Sequence, residues 1–429
     1  MVKKARKSIV IIVVLLLVTS PVVLAQDMLT VLHWKDISSS EFAESEIIAQ
    51  FEEETGIKVN FMVLPLWQYW EKLLPMVMTG TAPDIIFVHS SYVEWDLVKY
   101  VGMDLRPFAE GDPEYDLDDF VPAFVDLCTD EQGRLLGIPT ECSLGEIIMW
   151  NPELLGQAGL VTPPELWEQG QWTWDALAET ARKLTIRDAS GRAEQIGFSQ
   201  MGSPSESMWK AWGVKIADEA QENSLLYSPE TIQWLTWVQE QHLNYDWMVS
   251  EKDILEVFGG YGGGELSWNQ FATGKLAMFT QNLRTNFDTV DVVPMPMGPA
   301  GKAATVMGVW ATVNKDGNVE AAWDLLRRLT DKNMEARKTA IGDWPQRLSY
   351  ADVFFAVQGQ KVDHIYYYMD MLTYAEPRVA IRMRNWANIS NGLTEAWKML
   401  VNGTISPEDA ARRMHEHVQR NLVSQPAYL

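Results

Sequence analysis

The sequence predicts an α/β protein of two lobes, with mostly parallel strands and several crossings of the chain between the lobes. Three observations support this. Residues 29–88 alternate between strand-like and helix-like runs, in the order of βαβαβ units. Residues 150–290 are richer in helical patterns. Strand-like runs then return at residues 290–313, so we expect the chain to come back to the lobe that it built first.

The first units are defined by the spacing of their apolar residues. Runs rich in β-branched residues predict strands, whereas apolar residues three or four apart predict helices. The predicted elements are a strand at 29–33, a helix that carries Phe42, Ile47, Ile48 and Phe51 and ends at Gly56, a strand at 57–64, a helix at 67–78 that Pro75 bends, a loop at 80–84 and a buried strand at 85–88.

The later elements follow the same rules. Residues 290–293 and 306–313 are predicted strands, residues 320–330 form an amphipathic helix, and the C-terminal third is helical. The glycine run at 259–264 is not followed by Gly-Lys-Ser/Thr, so it lacks the phosphate-binding pattern. We expect it to be a mobile surface loop.

The composition is that of a folded protein with an acidic surface. Of the 429 residues, 47% are hydrophobic and 22% are charged, which suits two or three domains with a large core. The 58 acidic and 35 basic residues leave a net charge of −23, which disfavours nucleic acid and anionic membranes as partners. The 19 tryptophans are a first indication that flat apolar surfaces have a role in this protein.

Residues 1–25 are predicted to be a signal peptide. Four basic residues precede the apolar run 9–18, and residues 23–25 (VLA) fit a cleavage site of small residues. We therefore expect an exported protein, soluble in the periplasm or outside the cell, with an uncleaved membrane anchor as the alternative. No cysteine stands at the cleavage site, so no lipid attachment is expected.

The two cysteines leave two alternatives open. Cys128 and Cys142 flank a Gln-Gly turn at 132–133 and could meet across a hairpin. An oxidising compartment would allow them to form a disulfide. The alternative is two buried thiols.

Seven short blocks follow one another along the chain. They are FEEETGIKV at 51–59, GTAPDII at 80–86, GIP at 137–139 with IMWN at 148–151, AGL at 158–160 with PP at 163–164 and WTW at 172–174, FATGKLAM at 271–278, PMPMGPAG at 294–301 and GVW at 308–310. The individual blocks also have plain structural causes, such as helix ends and strand starts. In this order, however, they resemble the extracellular solute-binding proteins of the carbohydrate-uptake type (family 1, maltose-binding-protein-like), the receptor components of ABC importers, and the resemblance covers nearly all of residues 28–410.

The resemblance implies a type II periplasmic-binding-protein fold, in which two α/β lobes hold a ligand in the cleft between them and close by a hinge motion. We expect an N-terminal lobe of residues 26–141 and 292–335, and a C-terminal lobe of residues 142–291 and 336–429. It also implies a sugar ligand, expected to be an oligosaccharide, and the transmembrane subunits of an ABC permease as partners. We expect a monomer without cofactor, metal or catalytic activity.

Loops that follow predicted strands supply the first candidate ligand contacts. Sugars require aromatic planes for stacking and polar groups for their hydroxyls. Each loop below mixes such groups, although a solvated loop end is the plain alternative. The candidates are Trp34 and Asp36 after the first strand, His89, Ser91 and Tyr92 after the buried strand, Glu141 at the first crossing, and Arg284 after residue 278.

The tryptophans divide between helices and loops. Those within helical apolar patterns are expected in the core. Those in loops or at element ends are candidates for the cleft, and the resemblance places several of them where cleft aromatics fall in the family. The cleft candidates are Trp209, Trp212, Trp310, Trp344 and Trp386.

Arg347, Arg378, Arg382 and Arg384 form a late basic cluster in an acidic chain. They could recognise a carboxylated sugar or another anionic or phosphorylated solute by bidentate pairing. Salt bridges to the acidic surface are the plainer interpretation.

The sequence bears on three other functional classes. A secreted glycoside hydrolase would need a pair of catalytic carboxylates. The number of acidic residues allows such a pair, but no acid pair lies within a recognisable catalytic segment. The six histidines form no metal motif. A binding protein that signals through a receptor would need the same closed form as a transport receptor, so the sequence does not separate the two.

Overall fold

The computed structural model describes residues 28–39, 42–90, 95–200, 205–245, 263–281, 289–340 and 343–423. The predicted signal peptide lies outside these residues. Within them the chain forms two separate sheets that helices cover, and each sheet is the centre of one lobe.

The first sheet has six strands among the described residues, in the order β11-β10-β3-β1-β2, with β4 on the other side of β10. β1 lies parallel to β2 and β3, whereas β10 lies antiparallel to β3 and β4. Numbered in chain order, the strands are β1 (Met28–His33), β2 (Lys58–Val63), β3 (Ile85–His89), β4 (Ile138–Leu144), β10 (Ala304–Val313) and β11 (Ala375–Pro377).

The second sheet has five strands among the described residues, in the order β6-β7-β8-β5-β9. β7 and β8 are parallel, and β5 lies antiparallel to both of its neighbours. The strands are β5 (Ile147–Trp150), β6 (Ile186–Arg187), β7 (Ala193–Gln200), β8 (Leu276–Gln281) and β9 (Asp291–Val293).

Local signals mark the ends of some of the helices. Gly56, in the left-handed region at φ 72°, ends α1, and Asn151 caps α6 by accepting two backbone N–H groups. The helices are α1 (Ser45–Thr55), α2 (Tyr69–Met78), α3 (Trp95–Val101), α4 (Arg106–Glu110), α5 (Pro122–Leu127), α6 (Pro152–Gln157), α7 (Pro163–Glu168), α8 (Trp174–Leu184), α9 (Glu206–Ala211), α10 (Pro229–Asn244), α11 (Gly263–Ala272), α12 (Val319–Leu329), α13 (Lys332–Ala340), α14 (Ala351–Gln358), α15 (Tyr367–Leu372), α16 (Val379–Arg382), α17 (Trp386–Val401) and α18 (Pro407–Val423).

The strand and helix predictions for the first units agree with β1–β3, α1 and α2 to within a few residues. The glycine run differs from its prediction. Residues 259–262 lie outside the described residues, but Gly263 and Gly264 open helix α11 and are not part of a loop.

Strand pairing assigns three stretches to the other lobe from the one predicted. Residues 142–144 continue β4 in the first sheet, residues 292–293 belong to β9 in the second sheet, and β11 returns to the first sheet. The physical reason is that backbone hydrogen bonds hold a strand in one sheet along its whole paired length. A strand therefore belongs to the lobe of the strand with which it pairs. The chain therefore crosses between the sheets at Gly145-Glu146, at residues 294–303 and after Pro377.

Candidate functional site

The centre of the site is a row of residues across the carboxyl edge of the first sheet. Val309 of β10 pairs with His89 on one side and with Glu141 on the other. Residues directly opposite in a sheet project from the same face. His89 and Glu141 therefore flank Val309 on one face, about 10 Å apart by strand spacing.

Trp34 adds an aromatic plane beside this row. It directly follows β1, and its ring lies edge-on to His89 with the centroids 5.8 Å apart, and 4.2 Å from the ring of His33. Burial, with the charges of Lys35 and Lys338, lowers the pKa of His33 to about 3, so this imidazole is neutral and accepts from the Lys35 N–H. Trp34 itself is only half-buried, which leaves part of its surface open.

A nearly buried ion pair lies next to Glu141. The Nζ of Lys338 on α13 is 2.8 Å from the Glu44 carboxylate, and both side chains are about nine-tenths buried. Burial alone would lower the pKa of Lys338, but the carboxylates of Glu44 and Glu141 outweigh it and raise this pKa. Burial raises the pKa of Asp343, whose charge also acts on Lys338. This group of charges gives the edge of the sheet fixed hydrogen-bonding partners.

The segment that follows α13 forms a wall along β4. Gln346 accepts from the Cys142 N–H at 2.8 Å and donates to its carbonyl at 3.0 Å, as a neighbouring strand would. Trp344 stacks on Tyr368 with the centroids 3.7 Å apart, and the Tyr368 hydroxyl accepts from the Leu144 N–H. Trp344 is therefore held next to the crossing strand, half-buried.

The second lobe faces this edge with charged and polar groups. The Ser207 N–H donates to the Glu146 carboxylate at 3.1 Å, directly after the first crossing. The Glu206 carboxylate accepts from the Val379 N–H at 2.6 Å, and Arg378 donates to the Gly145 carbonyl at 3.1 Å. Burial, followed by the charge of Arg378, lowers the pKa of His89, which ties the first sheet to this group. All three crossings and α9 thus meet near one point.

The structure places the predicted contacts unevenly. Trp34, His89 and Glu141 lie together at the edge, and Trp344 lies next to β4. Asp36 is exposed and accepts from the Ser38 N–H and hydroxyl in a local turn. Ser91, Tyr92 and Arg284 lie outside the described residues.

The prediction for Trp310 is wrong. Trp310 is fully buried, packs against Trp95, and lies so close to Gly137 that a Cβ there would be 2.3 Å from its ring. The available signal was the near-continuous apolar run of β10, because a strand that is covered on both faces lacks the alternation of apolar and polar residues.

The other cleft tryptophans are placed in the second lobe. Trp209 and Trp212 are each 8% exposed, and Trp212 packs against Trp237. They are buried in this structure, contrary to the expectation of open cleft rings. Trp386 is half-buried at the start of α17, and the preceding Arg384 donates to the Ala220 carbonyl.

The late basic cluster is mostly structural. Arg347 is fully buried, donates to the carbonyls of Asp116 and Thr330, and stacks over Phe120 at 3.9 Å. Arg382 donates to the carbonyls of Asp126 and Thr129. Because Arg347 and Arg382 are already bonded to backbone carbonyls, they do not support recognition of a carboxylated sugar. Of the four arginines in the cluster, only Arg378 lies at the candidate site.

The cysteines are buried, unbonded thiols in the structure. Cys142 donates to the Val309 carbonyl at 3.3 Å, and burial raises the pKa of Cys128, whose thiol lies within hydrogen-bonding reach of Cys142. Their pairing in an oxidising compartment stays a prediction. In the described ranges, no three His, Cys, Asp or Glu side chains are grouped to hold a metal ion.

Sequence reasoning missed the residues that come from distant parts of the chain. No motif marks Glu146, Glu206, Lys338 or Gln346. The partners described above lie at least 61 residues away from them in the sequence.

The fold and the site define a two-lobed ligand-binding protein. The model of the bacterial extracellular solute-binding protein family matches residues 36–334. The chain belongs to this family, and it is the substrate-binding protein of an ABC transporter. No helix in the described part of the chain is long and apolar enough to cross a membrane.

Curated relatives share 23% of their residues with the chain. A probable amino-acid ABC transporter periplasmic-binding protein from Sinorhizobium fredii is 23% identical over 326 residues, which are 72% of this chain and 70% of the relative. A putative binding protein from Brucella abortus is 23% identical over 393 residues, 85% of each chain. The name of the first relative gives amino acids as its ligand class, and the name of the second gives no ligand.

Solved structures share the fold at lower identity. An ABC substrate-binding protein from Listeria monocytogenes in complex with cycloalternan has a TM-score of 0.73 at 22% identity and covers 93% of this chain and 100% of its own. The sugar-binding protein MalE from Xanthomonas citri has a TM-score of 0.71 at 17% identity, with 92% and 97% covered. These likenesses show a two-lobed fold.

Proposed function

We propose that the protein binds a neutral sugar, an oligosaccharide in particular, between its lobes and delivers it to the transmembrane subunits of an ABC permease. The observation that carries this proposal is the row of His89, Val309 and Glu141 with Trp34 beside it. An aromatic plane next to carboxylate and imidazole groups suits a ring with an apolar face and a rim of hydroxyls.

Lobe closure is the proposed output of binding. The crossing segments bring groups from both lobes to one point, so a ligand held there favours the closed form over the open form. We propose that the protein is exported, acts as a monomer and performs no chemistry. Cycloalternan, the ligand in the Listeria monocytogenes complex, is a sugar, which supports the choice of class.

A thermal-shift screen tests the proposal. The mature protein is mixed with maltotriose, raffinose, cellobiose, ribitol, galacturonate and the common amino acids, and each mixture is checked for cleavage products. A ligand at a hundredfold its Kd stabilises the folded state by about 2.7 kcal/mol, which a melting curve resolves. A shift with an intact neutral sugar is the expected result.

Other outcomes redirect the assignment. Cleavage of a sugar would support a glycoside hydrolase instead. A shift with amino acids alone would contradict the sugar proposal, and the name of the Sinorhizobium relative makes this control necessary. A shift with galacturonate alone would indicate an anionic ligand.

A further inference from the structure

Three buried polar side-chain atoms at the crossing point have no hydrogen-bond partner among the described residues. They are the Thr305 hydroxyl on β10, the Ser207 hydroxyl on α9 and the Nε–H of Arg378 after β11. Thr305 and Ser207 are both fully buried. Buried polar groups in folded proteins are normally paired, so such a group at a binding cleft indicates a ligand or water partner.

Gly145 lies close to two of these atoms. A Cβ on Gly145 would lie 2.7 Å from the Thr305 hydroxyl oxygen and 2.9 Å from Arg378 Nε. Any side chain at this position would therefore displace the two polar groups. The Gly145 N–H donates to the Thr305 carbonyl at 2.7 Å, which fixes the backbone of the crossing against β10.

Ser207 reaches the same place from the second lobe. Its N–H donates to Glu146, the residue after Gly145, and Glu146 also lies 3.5 Å from Arg378. The residues that carry the three unpaired polar groups therefore lie around the Gly145-Glu146 crossing, on β10, on α9 and at the third crossing.

The charges around the crossing favour a neutral ligand. Arg378 pairs with Glu146, and Lys210 lies 3.3 Å from Glu206 and 2.9 Å from Glu376. These two cationic and three anionic groups, all on described residues, carry an excess of negative charge. Because both cations are already paired with carboxylates, an anion placed next to them would be repelled by the remaining negative charge.

We propose that Thr305, Ser207 and Arg378 form a subsite that binds adjacent hydroxyl groups of a neutral polyhydroxyl ligand and discriminates against anionic sugars. Arg378 donates to a ligand oxygen, and the two hydroxyls donate or accept as the ligand requires. Because Thr305 belongs to the first lobe and Ser207 to the second, a ligand bound here joins the lobes. This inference rests on the proposed sugar-binding function.

The test compares two threonines of the same strand. Thr305→Val removes an unpaired hydroxyl, so the ligand-free protein is expected to melt at the same temperature or higher, while the affinity for the neutral sugar found in the screen falls at least tenfold. Ser207→Ala should behave alike. Thr312→Val is the matched control, since Thr312 is equally buried but donates to the Leu136 carbonyl at 2.8 Å. The Thr312→Val variant should have a lower melting temperature and an unchanged affinity for the sugar.

Calorimetric titration separates the outcomes. If the wild type binds a neutral sugar but Thr305→Val and Ser207→Ala bind it equally well, the subsite is rejected and the proposed function stands. If galacturonate oligomers bind more tightly than their neutral counterparts, the discrimination is wrong. If the wild type binds no neutral sugar, both the function and the subsite are rejected.

Discussion

Individual tryptophans in this protein differ in role according to what covers their rings. Trp34 follows a strand at its open carboxyl end and keeps part of its surface exposed, whereas Trp310 lies inside a strand with neighbours on both faces. Trp34 is flanked by the polar residues His33 and Lys35, whereas Trp310 is flanked by Val309 and Ala311 within an apolar strand. We expect substitution of Trp34 to change the affinity for the sugar, and substitution of Trp310 to change the free energy of unfolding.

Trp34→Ala should weaken sugar binding by about 1–3 kcal/mol and change the free energy of unfolding little, because a half-exposed stacking ring contributes mainly to the complex. Calorimetric titration measures the affinity. Trp167→Ala is a suitable control, since Trp167 is half-buried on α7 under Lys302 and outside the site. Equal affinity in wild type and Trp34→Ala would exclude Trp34 from the site.

Trp310→Ala should lower the free energy of unfolding by about 3–5 kcal/mol, the usual effect of deleting a large buried ring. Urea denaturation of the ligand-free protein measures it. A loss below about 1 kcal/mol would show that Trp310 is not part of the core.

His33 should make the stability depend on pH. Its pKa is about 3 in the folded protein and near 6.5 when unfolded, so the unfolded chain binds the proton first as the pH falls. Stability contributed by the neutral imidazole is complete above pH 6.5 and is lost progressively between pH 6.5 and pH 3. His33→Asn keeps an acceptor for the Lys35 N–H and should flatten this dependence. Urea midpoints of both proteins, measured across that pH range, test this. If His33 were solvated, the midpoints of wild type and His33→Asn would depend on pH in the same way.

At the scale of elements, the local pattern predicts strands and helices well but not their partners. β1–β3 were predicted closely because β-branched runs and helix ends are local signals. The contact between Arg378 and Gly145 joins residues 233 positions apart, and no local signal encodes it. The half of the site that lies on the first sheet was therefore predictable from loops after strands, and the half at the crossings was not.

The Glu44–Lys338 pair should couple helix α13 to the start of α1. Lys338→Met leaves a nearly buried carboxylate unpaired and is expected to lower the free energy of unfolding by about 3 kcal/mol. The double variant Glu44→Gln/Lys338→Met should recover most of this loss. Chemical denaturation of the four proteins in the cycle measures the coupling, and simple additivity of the two single variants would contradict it.

Helix α5 and strand β4 bring the two thiols together. If the protein is exported, Cys128 and Cys142 are expected to form a disulfide, because the compartment is oxidising and the thiols are within reach of each other. Alkylation of denatured, unreduced protein followed by mass spectrometry counts the free thiols. Two alkylated cysteines would show that they remain thiols.

At the scale of the whole molecule, closure is the property that a transport receptor requires. Small-angle scattering should show a smaller radius of gyration when a saturating neutral sugar is added, because the ligand joins groups of both lobes. Ligand-free protein with an inert, non-binding sugar is the control. Binding without any change in the radius would show that the lobes are already closed.

The interleaving of the two sheets also determines the order in which the lobes can be completed. The second sheet needs only the continuous stretch from β5 to β9, whereas the first sheet needs β1 near the start of the chain and β11 at residues 375–377. During synthesis, the sheet that begins first is therefore finished last. Its strands must wait for partners hundreds of residues away, and such non-local pairing slows folding. Late completion of the first sheet would suit the export that we propose, because a chain that is exported unfolded has to cross the membrane before it folds.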